Sequence, residues 1–324
     1  PWNAMHDSVK ADRGTFLATV LANDRVCDEH HRMVLGLDAF PPARAGQFVQ
    51  VLCHVPDSRP TRQVVEWRED RPPKFSQPEL AGRIPLLRRP FSLADSRQSS
   101  DGGAELTLIY RLVGTGTHWL ATVQAGDSLS VLGPLGNHFT AYEDRPRAAV
   151  VGGGVGIPPM LYAARMLAAA GRQTVGFVGA RSASLVPLEL TEPASVSAEG
   201  EPTYCTREFD SRGVKAAIAT DDGSLGAPGP VTGPLTTWLD GLDNAGATAA
   251  VYACGPEPMM RAVADVCGRR EVACQLSLEL HMACGMGTCQ SCICKIRADS
   301  ERGWAFKLCC KDGPVFDAAD VLWD

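Results

Sequence analysis

RAAVVGGGVGIPPMLYAARMLAAAGRQTVGFVGARS, residues 147–182, divides into an apolar strand, a glycine loop, an amphipathic helix and a second apolar strand. Two apolar runs joined by a helix make a βαβ unit, whose strands lie parallel in one sheet. Gly152, Gly153, Gly154 and Gly156 stand between the first strand and the helix, where a pyrophosphate can approach the helix N-terminus. Pro158 and Pro159 suit the first helical turn, which needs no N–H. The loop has a G-x-G-x-x spacing without the usual third glycine, so its warrant is the strand before it and the helix after it.

The same pattern returns further on. ATAAVYACG reads as a strand and EPMMRAVADVCGRR as a helix, with Cys254, Gly255 and Pro256 at the turn on the same sheet edge. Cys254 at that turn lines a nicotinamide site or serves as a small buried hydrophobe. Arg181 and Ser182 end the second strand, where ribose and phosphate contacts fall, and they suit NAD and NADP equally. Between these units, residues 194–233 are polar and Gly/Pro-containing, a mix of long loops with a short strand and a helix.

Toward the N-terminus the period changes. GTFLATVLAN, RMVLGLDA, GQFVQVLCHV, AELTLIYRLV and DSLSVLGPLG are short alternating runs set between turn residues. They predict an antiparallel β-barrel. Residues 56–83, rich in proline and charge, read as a surface insertion with no chemistry of their own. The fold class is therefore multidomain β and α/β. We expect a barrel over 1–143, a parallel-sheet nucleotide-binding α/β domain over 144–275 and a small cysteine-rich domain over 276–324.

Within the barrel, Arg89, Pro90, Phe91 and Ser92 form a tetrapeptide suited to a flavin. Arginine pairs with a diphosphate, the aromatic packs on the ring and serine hydrogen-bonds it. Tyr110 opens YRLVGTGT, in which Gly114, Gly116 and Thr117 precede a helix-like segment and form an anion site. Gly133-Pro134-Leu135-Gly136 follows. Together these segments imply bound FAD. His118 and His138 read as exposed or capping histidines rather than proton donors.

The chain has 12 cysteines, and six of them fall between Cys284 and Cys310. Clustering of this kind in a long chain points to metal rather than disulfides. Cys284, Cys289 and Cys292 have the C-x4-C-x2-C spacing of plant-type 2Fe–2S proteins. Gly285 and Gly287 permit the tight turn that aims backbone N–H groups at the sulfides. The fourth thiolate is assigned to Cys310, with its neighbour Cys309 as the alternative, and Cys294 is read as a bystander. Structural zinc sites pair C-x2-C with another such pair or with histidines, which the x4 gap fits poorly.

The formal net charge of −6 gives no general attraction to nucleic acid. No window approaches the ~20 apolar residues of a membrane span. Residues 1–10 lack the basic-then-apolar pattern of a signal peptide, so the expected compartment is the cytoplasm.

Barrel, nucleotide domain and cysteine tail, in that order, resemble the ferredoxin–NADP reductase superfamily. Within it, LRRPFSLAD, YRLVGTGTHWL, LGPLGNHF, VGGGVGIPPM, YACGPEPMM, MACGMGTCQSCICK and CKDGPVFDAADV are similar to the electron-transfer subunits of NAD-linked dihydroorotate dehydrogenase. The resemblance implies that Cys310, just before the turn, is a cluster ligand. It also implies FAD, a 2Fe–2S cluster and NAD as cofactors, and an FMN-containing catalytic subunit as partner in a heterotetramer. Electrons from dihydroorotate would pass through the cluster and FAD to NAD, a step of pyrimidine biosynthesis. Iron–sulfur subunits of anaerobic sulfite reductase and of hydrogenases share a similar cysteine spacing and are the alternative. A non-enzymatic redox sensor would need none of the nucleotide segments.

Overall fold

The structure is a computed structural model that describes residues 13–54, 65–68, 71–75, 87–191 and 195–323. The signal-peptide reading of residues 1–10 lies outside them. So does the 56–83 insertion, apart from two short paired strands.

The first unit is built from Gly14–Cys27 (β1), His30–Leu37 (β2), Phe48–Val51 (β3), the insertion's Val65–Arg68 (β4) and Arg71–Phe75 (β5), Arg89–Ser92 (β6), Asp95–Gln98 (β7), Ala104–Arg111 (β8), the short helix Thr115–Leu120 (α1) and Ser128–Leu135 (β9). Among the described residues, β4 and β5 pair only with each other. The other seven strands form one sheet in the order β6-β3-β9-β1-β2-β8-β7, with every pairing antiparallel. The sheet curls until β6 approaches β8. Period-2 patterning drives this: Met33, Leu35 and Leu37 on β2 and Leu106 and Leu108 on β8 all point into one core.

The second unit begins with Arg147–Gly153 (β10), Ile157–Ala169 (α2) and Gln173–Ala180 (β11), the βαβ unit read from the sequence. Then come Arg207–Asp210 (α3), Lys215–Thr220 (β12), Ala227–Pro228 (β13), Thr232–Asp240 (α4), Ala245–Thr248 (α5), Ala249–Cys254 (β14), Glu257–Gly268 (α6) and Ala273–Ser277 (β15). The tail adds Ile293–Arg297 (β16), Trp304–Leu308 (β17), Val315–Asp317 (β18) and Val321–Leu322 (β19). The second sheet runs β13-β12-β11-β10-β14-β15-β18 and is parallel except for β18. The chain fills one side of β10, then crosses to β14 on the other, so the strand order reverses between β10 and β14. Crevices at such reversals are where open α/β sheets bind ligands.

The tail is not laid out apart from this sheet. β18 pairs antiparallel with β15 and covers what would otherwise be an open edge. Its remaining strands form a small sheet, β17-β16-β19. The two larger units are cemented through α2, which is buried on almost every side. From it, the Tyr162 hydroxyl donates to Ala43 O (2.5 Å). Arg165 reaches the buried Asp95 carboxylate (2.8 Å) and Ser96 O (2.6 Å).

Candidate functional site

The glycine loop and the second turn meet at the crevice between β10 and β14. A Cβ on Gly156 would overlap the Cys254 carbonyl, and one on Gly255 would sit 3.1 Å from Gly153 N and O. These glycines let two backbone turns abut. Gly154 differs: it has φ +53° and nothing within 4 Å of an added Cβ, so it faces open space where a phosphate can approach. Cys254 is buried, and desolvation pushes its thiol up to about 12. Ser277, the last residue of β15, hydrogen-bonds it. It is thus a neutral thiol. A cleft of about 660 Å³ lined by Arg145, Asp240 and Arg270 opens at the opposite end of the sheet and holds none of these residues.

In the curled sheet, Arg89, Pro90, Phe91 and Ser92 form β6 and are all half-buried. Arg88 turns inward, its guanidinium donating to Ser130 O and Oγ, both at 2.8 Å. Arg89 faces the other way and donates to Leu87 O (2.8 Å). Gly116 lies against it: a Cβ there would meet Cys53 Cβ at 3.3 Å and Arg89 Cγ at 3.4 Å. The missing side chain thus brings the start of α1 beside the arginine. Gly114 itself is extended (φ −165°) with open space beyond it. The Thr117 hydroxyl is engaged locally. It accepts from Val113 N (2.9 Å) and Gly114 N (3.1 Å), so it shapes the turn. Tyr110 is only 2% exposed, and its hydroxyl donates to Asn23 Oδ1 (2.9 Å). Its ring meets Phe91 edge-on at 5.9 Å, so it supports the aromatic from behind.

In the tail, Gly285 and Gly287 have φ +68° and +90°, the left-handed backbone a tight loop requires. The cysteines come together in two pairs. Cys289 N–H points at Cys284 Sγ (3.4 Å), and Cys310 N–H points at Cys292 Sγ (3.4 Å). Among the described residues, no three His, Cys, Asp or Glu side chains gather as around one bound ion. A binuclear cluster divides its four thiolates as two pairs, one per iron, and this donor set fits that division. The Ser291 hydroxyl lies 3.2 Å from Cys289 Sγ and, as the main cause, holds that thiol down to about 6. Cys309 and Cys310 diverge. Cys310 faces Cys292 and the Gly287 N–H, whereas the fully buried Cys309 donates to Leu278 O (3.3 Å) in the core. Cys294 donates instead to Lys307 O (3.6 Å).

Three residues central to this arrangement went unread in the sequence. Asn23 donates to Leu120 O (2.8 Å) and Val123 O (2.9 Å), anchoring the end of α1. Gln50 on β3 touches the cysteine loop, and Asn137, after β9, holds the turn beyond Cys310. Their partners lie far away in the chain, so no local pattern marks the contacts they make.

A curled antiparallel sheet, a parallel nucleotide sheet and a paired-cysteine loop define a flavin-linked nicotinamide oxidoreductase with an iron–sulfur tail. A chain of NADH-dependent reduced ferredoxin–NADP oxidoreductase shares this fold, with a TM-score of 0.68 and 24% identity over 96% of this chain and 91% of that one. The Amycolatopsis cytochrome P450 reductase GcoB does so at a TM-score of 0.54, with 22% identity over 80% and 67%. Residues 279–322 match the iron–sulfur cluster binding domain of dihydroorotate dehydrogenase B. The dihydroorotate dehydrogenase B (NAD(+)) electron transfer subunit of Caldanaerobacter subterraneus subsp. tengcongensis is 34% identical over 80% of this chain and 90% of its own length. Its Bacillus caldolyticus counterpart is 38% identical over 81% and 90%. The chain belongs to the family of dihydroorotate dehydrogenase B electron transfer subunits.

Proposed function

We propose that this chain takes electrons from an FMN-containing dihydroorotate dehydrogenase catalytic subunit and delivers them to NAD, in the cytoplasm and as part of a heterotetramer. FAD, bound here, exchanges single electrons with a 2Fe–2S cluster and hydride with nicotinamide. In this reading Arg89 and the Gly114–Thr117 turn hold the diphosphate of FAD, while Pro90, Phe91 and Ser92 line its ring from β6 with Tyr110 behind. Gly152, Gly153, Gly154 and Gly156 shape the phosphate crevice for NAD. Gly255 and Pro256 turn the chain away, so that the neutral Cys254 lines the nicotinamide end. Cys284 and Cys289 hold one iron and Cys292 and Cys310 the other.

One observation carries the reading. β14 and β15 run side by side toward the nicotinamide turn, where Cys254 pairs with Ser277, and seven residues after Ser277 the chain reaches Cys284 of the cysteine loop. The same loop touches β3, the hydrogen-bonded neighbour of β6. One compact region therefore adjoins all three cofactor positions.

The test is an anaerobic absorption spectrum with iron, sulfide and flavin quantified, before and after NADH. About two irons and one FAD per chain, both bleached by NADH, support the assignment. Reconstitution with the catalytic subunit should then give dihydroorotate-dependent NADH formation, and failure of that step alone would refute the partner.

A further inference from the structure

Two amide side chains of the first unit reach across to the tail: Gln50 meets the cysteine loop and Asn137 the turn that follows Cys310. Gln50 is 1% exposed. In the amide orientation that satisfies both its ends, it donates to Cys284 O (3.2 Å) and accepts from Gly285 N–H (3.3 Å). Asn137 donates to Val315 O (2.7 Å) and Asp312 O (3.0 Å) and accepts from Val315 N–H (2.8 Å). Its own N–H donates to Gly313 O (2.6 Å). The Cys310 side of the loop is thus gripped through the turn that follows it.

The matching surfaces are cleared of side chains. A Cβ on Gly285 would lie 2.5 Å from the Gln50 amide, and one on Gly136 would lie 2.6 Å from Pro314. Both contacts span far more chain than any local motif: Asn137 and Val315 are 178 residues apart. An amide is a neutral side chain that donates and accepts at once from separate atoms. It can therefore fix a backbone beside the cluster without adding a charge that would bias reduction. Gln50 is also opposite Pro90 in the β3–β6 ladder, so a single residue separates the flavin strand from the Cys284–Gly285 peptide.

We propose that Gln50 and Asn137 are positioning residues that hold the two halves of the cluster loop at a fixed place against the flavin strand. The proposal rests on the cluster assignment given above. Loss of either grip lets that half of the loop shift, which alters the environment of its iron and slows electron transfer across the gap.

The experiment uses the full-length protein loaded with FAD and iron, as wild type and as Gln50→Leu, Asn137→Leu and the double variant. Gln50→Glu and Asn137→Asp keep the acceptor but lose the donor, and they cover any failure of the leucine variants to fold. Three quantities are read: the electron paramagnetic resonance spectrum of the reduced cluster, the rate of its reduction by NADH in stopped flow, and the rate of iron loss to a chelator. The expected result is iron and flavin contents near wild type, a changed resonance spectrum and reduction slowed by about tenfold, as loss of paired hydrogen bonds implies. Iron loss should be faster by a similar factor, in the Glu and Asp variants as in the leucine ones. Unchanged spectra and rates in all the variants would overturn the proposal. Wild-type protein without iron would overturn the cluster assignment itself, and the proposal with it.

Discussion

Gly156 and Gly154 sit two residues apart in one loop, yet the structure gives them opposite roles, and Gly156→Ala against Gly154→Ala separates them. A Cβ on Gly156 would lie 2.5 Å from Gly255 N and closer still to the Cys254 carbonyl, whereas ordinary contact begins near 3.4 Å. With the Cys254 carbonyl oxygen at 2.2 Å, one backbone must retreat by about 1.2 Å, an overpacking strain of about 1–3 kcal/mol. The displaced turn carries Cys254, so nicotinamide binding should weaken together with stability. Gly154→Ala meets no protein atom and carries only the left-handed backbone cost, about 1–2 kcal/mol. Its methyl instead projects into the space assigned to phosphate, so KM for NADH should rise while kcat with ferricyanide stays close to wild type. The assays are thermal unfolding of the flavin-loaded protein and steady-state NADH–ferricyanide kinetics. If Gly156→Ala matches wild type in Tm and KM, the abutting-turn account is refuted. If Gly154→Ala leaves KM untouched, the phosphate does not lie there.

Cys310→Ser should abolish the cluster, read as iron and sulfide content, while Cys309→Ser keeps both because a serine hydroxyl can still donate to Leu278 O; the reverse result would exchange their roles. On the proposed pairing of Arg89 with the FAD diphosphate, Arg89→Ala removes a charge-assisted contact of about 1.5–3 kcal/mol, so FAD should bind roughly 10–100-fold more weakly; a variant that retains full flavin through gel filtration contradicts this. Glu208 is buried beside Arg32, and desolvation raises its carboxyl above the ordinary 4.5. The folded form then keeps a proton that the unfolded chain has released, so stability falls as pH rises from 4.5 through the raised value. Glu208→Gln should flatten that part of the Tm–pH profile, and identical profiles would show that the group does not titrate there.

Much of this protein was legible from its sequence because the signals are local. The βαβ unit at 147–182 follows from apolar periodicity and a glycine loop, and the parallel pairing of β10 and β11 comes with it. The alternation across β2 and β8 marks an antiparallel sheet for the same reason. The cysteine loop is a spacing in nine residues, so its turn glycines could be named from it alone.

Tertiary structure decided what depends on residues distant in the chain. Cys309 and Cys310 are adjacent, and only the position of Leu278 O and of Cys292 turns one into the core and the other toward the loop. Gly156 and Gly154 look alike until Cys254 is packed against one of them. Tyr110 reads as a cofactor contact from its motif, but Asn23, 87 residues away, takes its hydroxyl. Nothing local marks the contacts of Gln50 and Asn137, because a polar side chain acquires such a role only when folding brings its partner within hydrogen-bond reach.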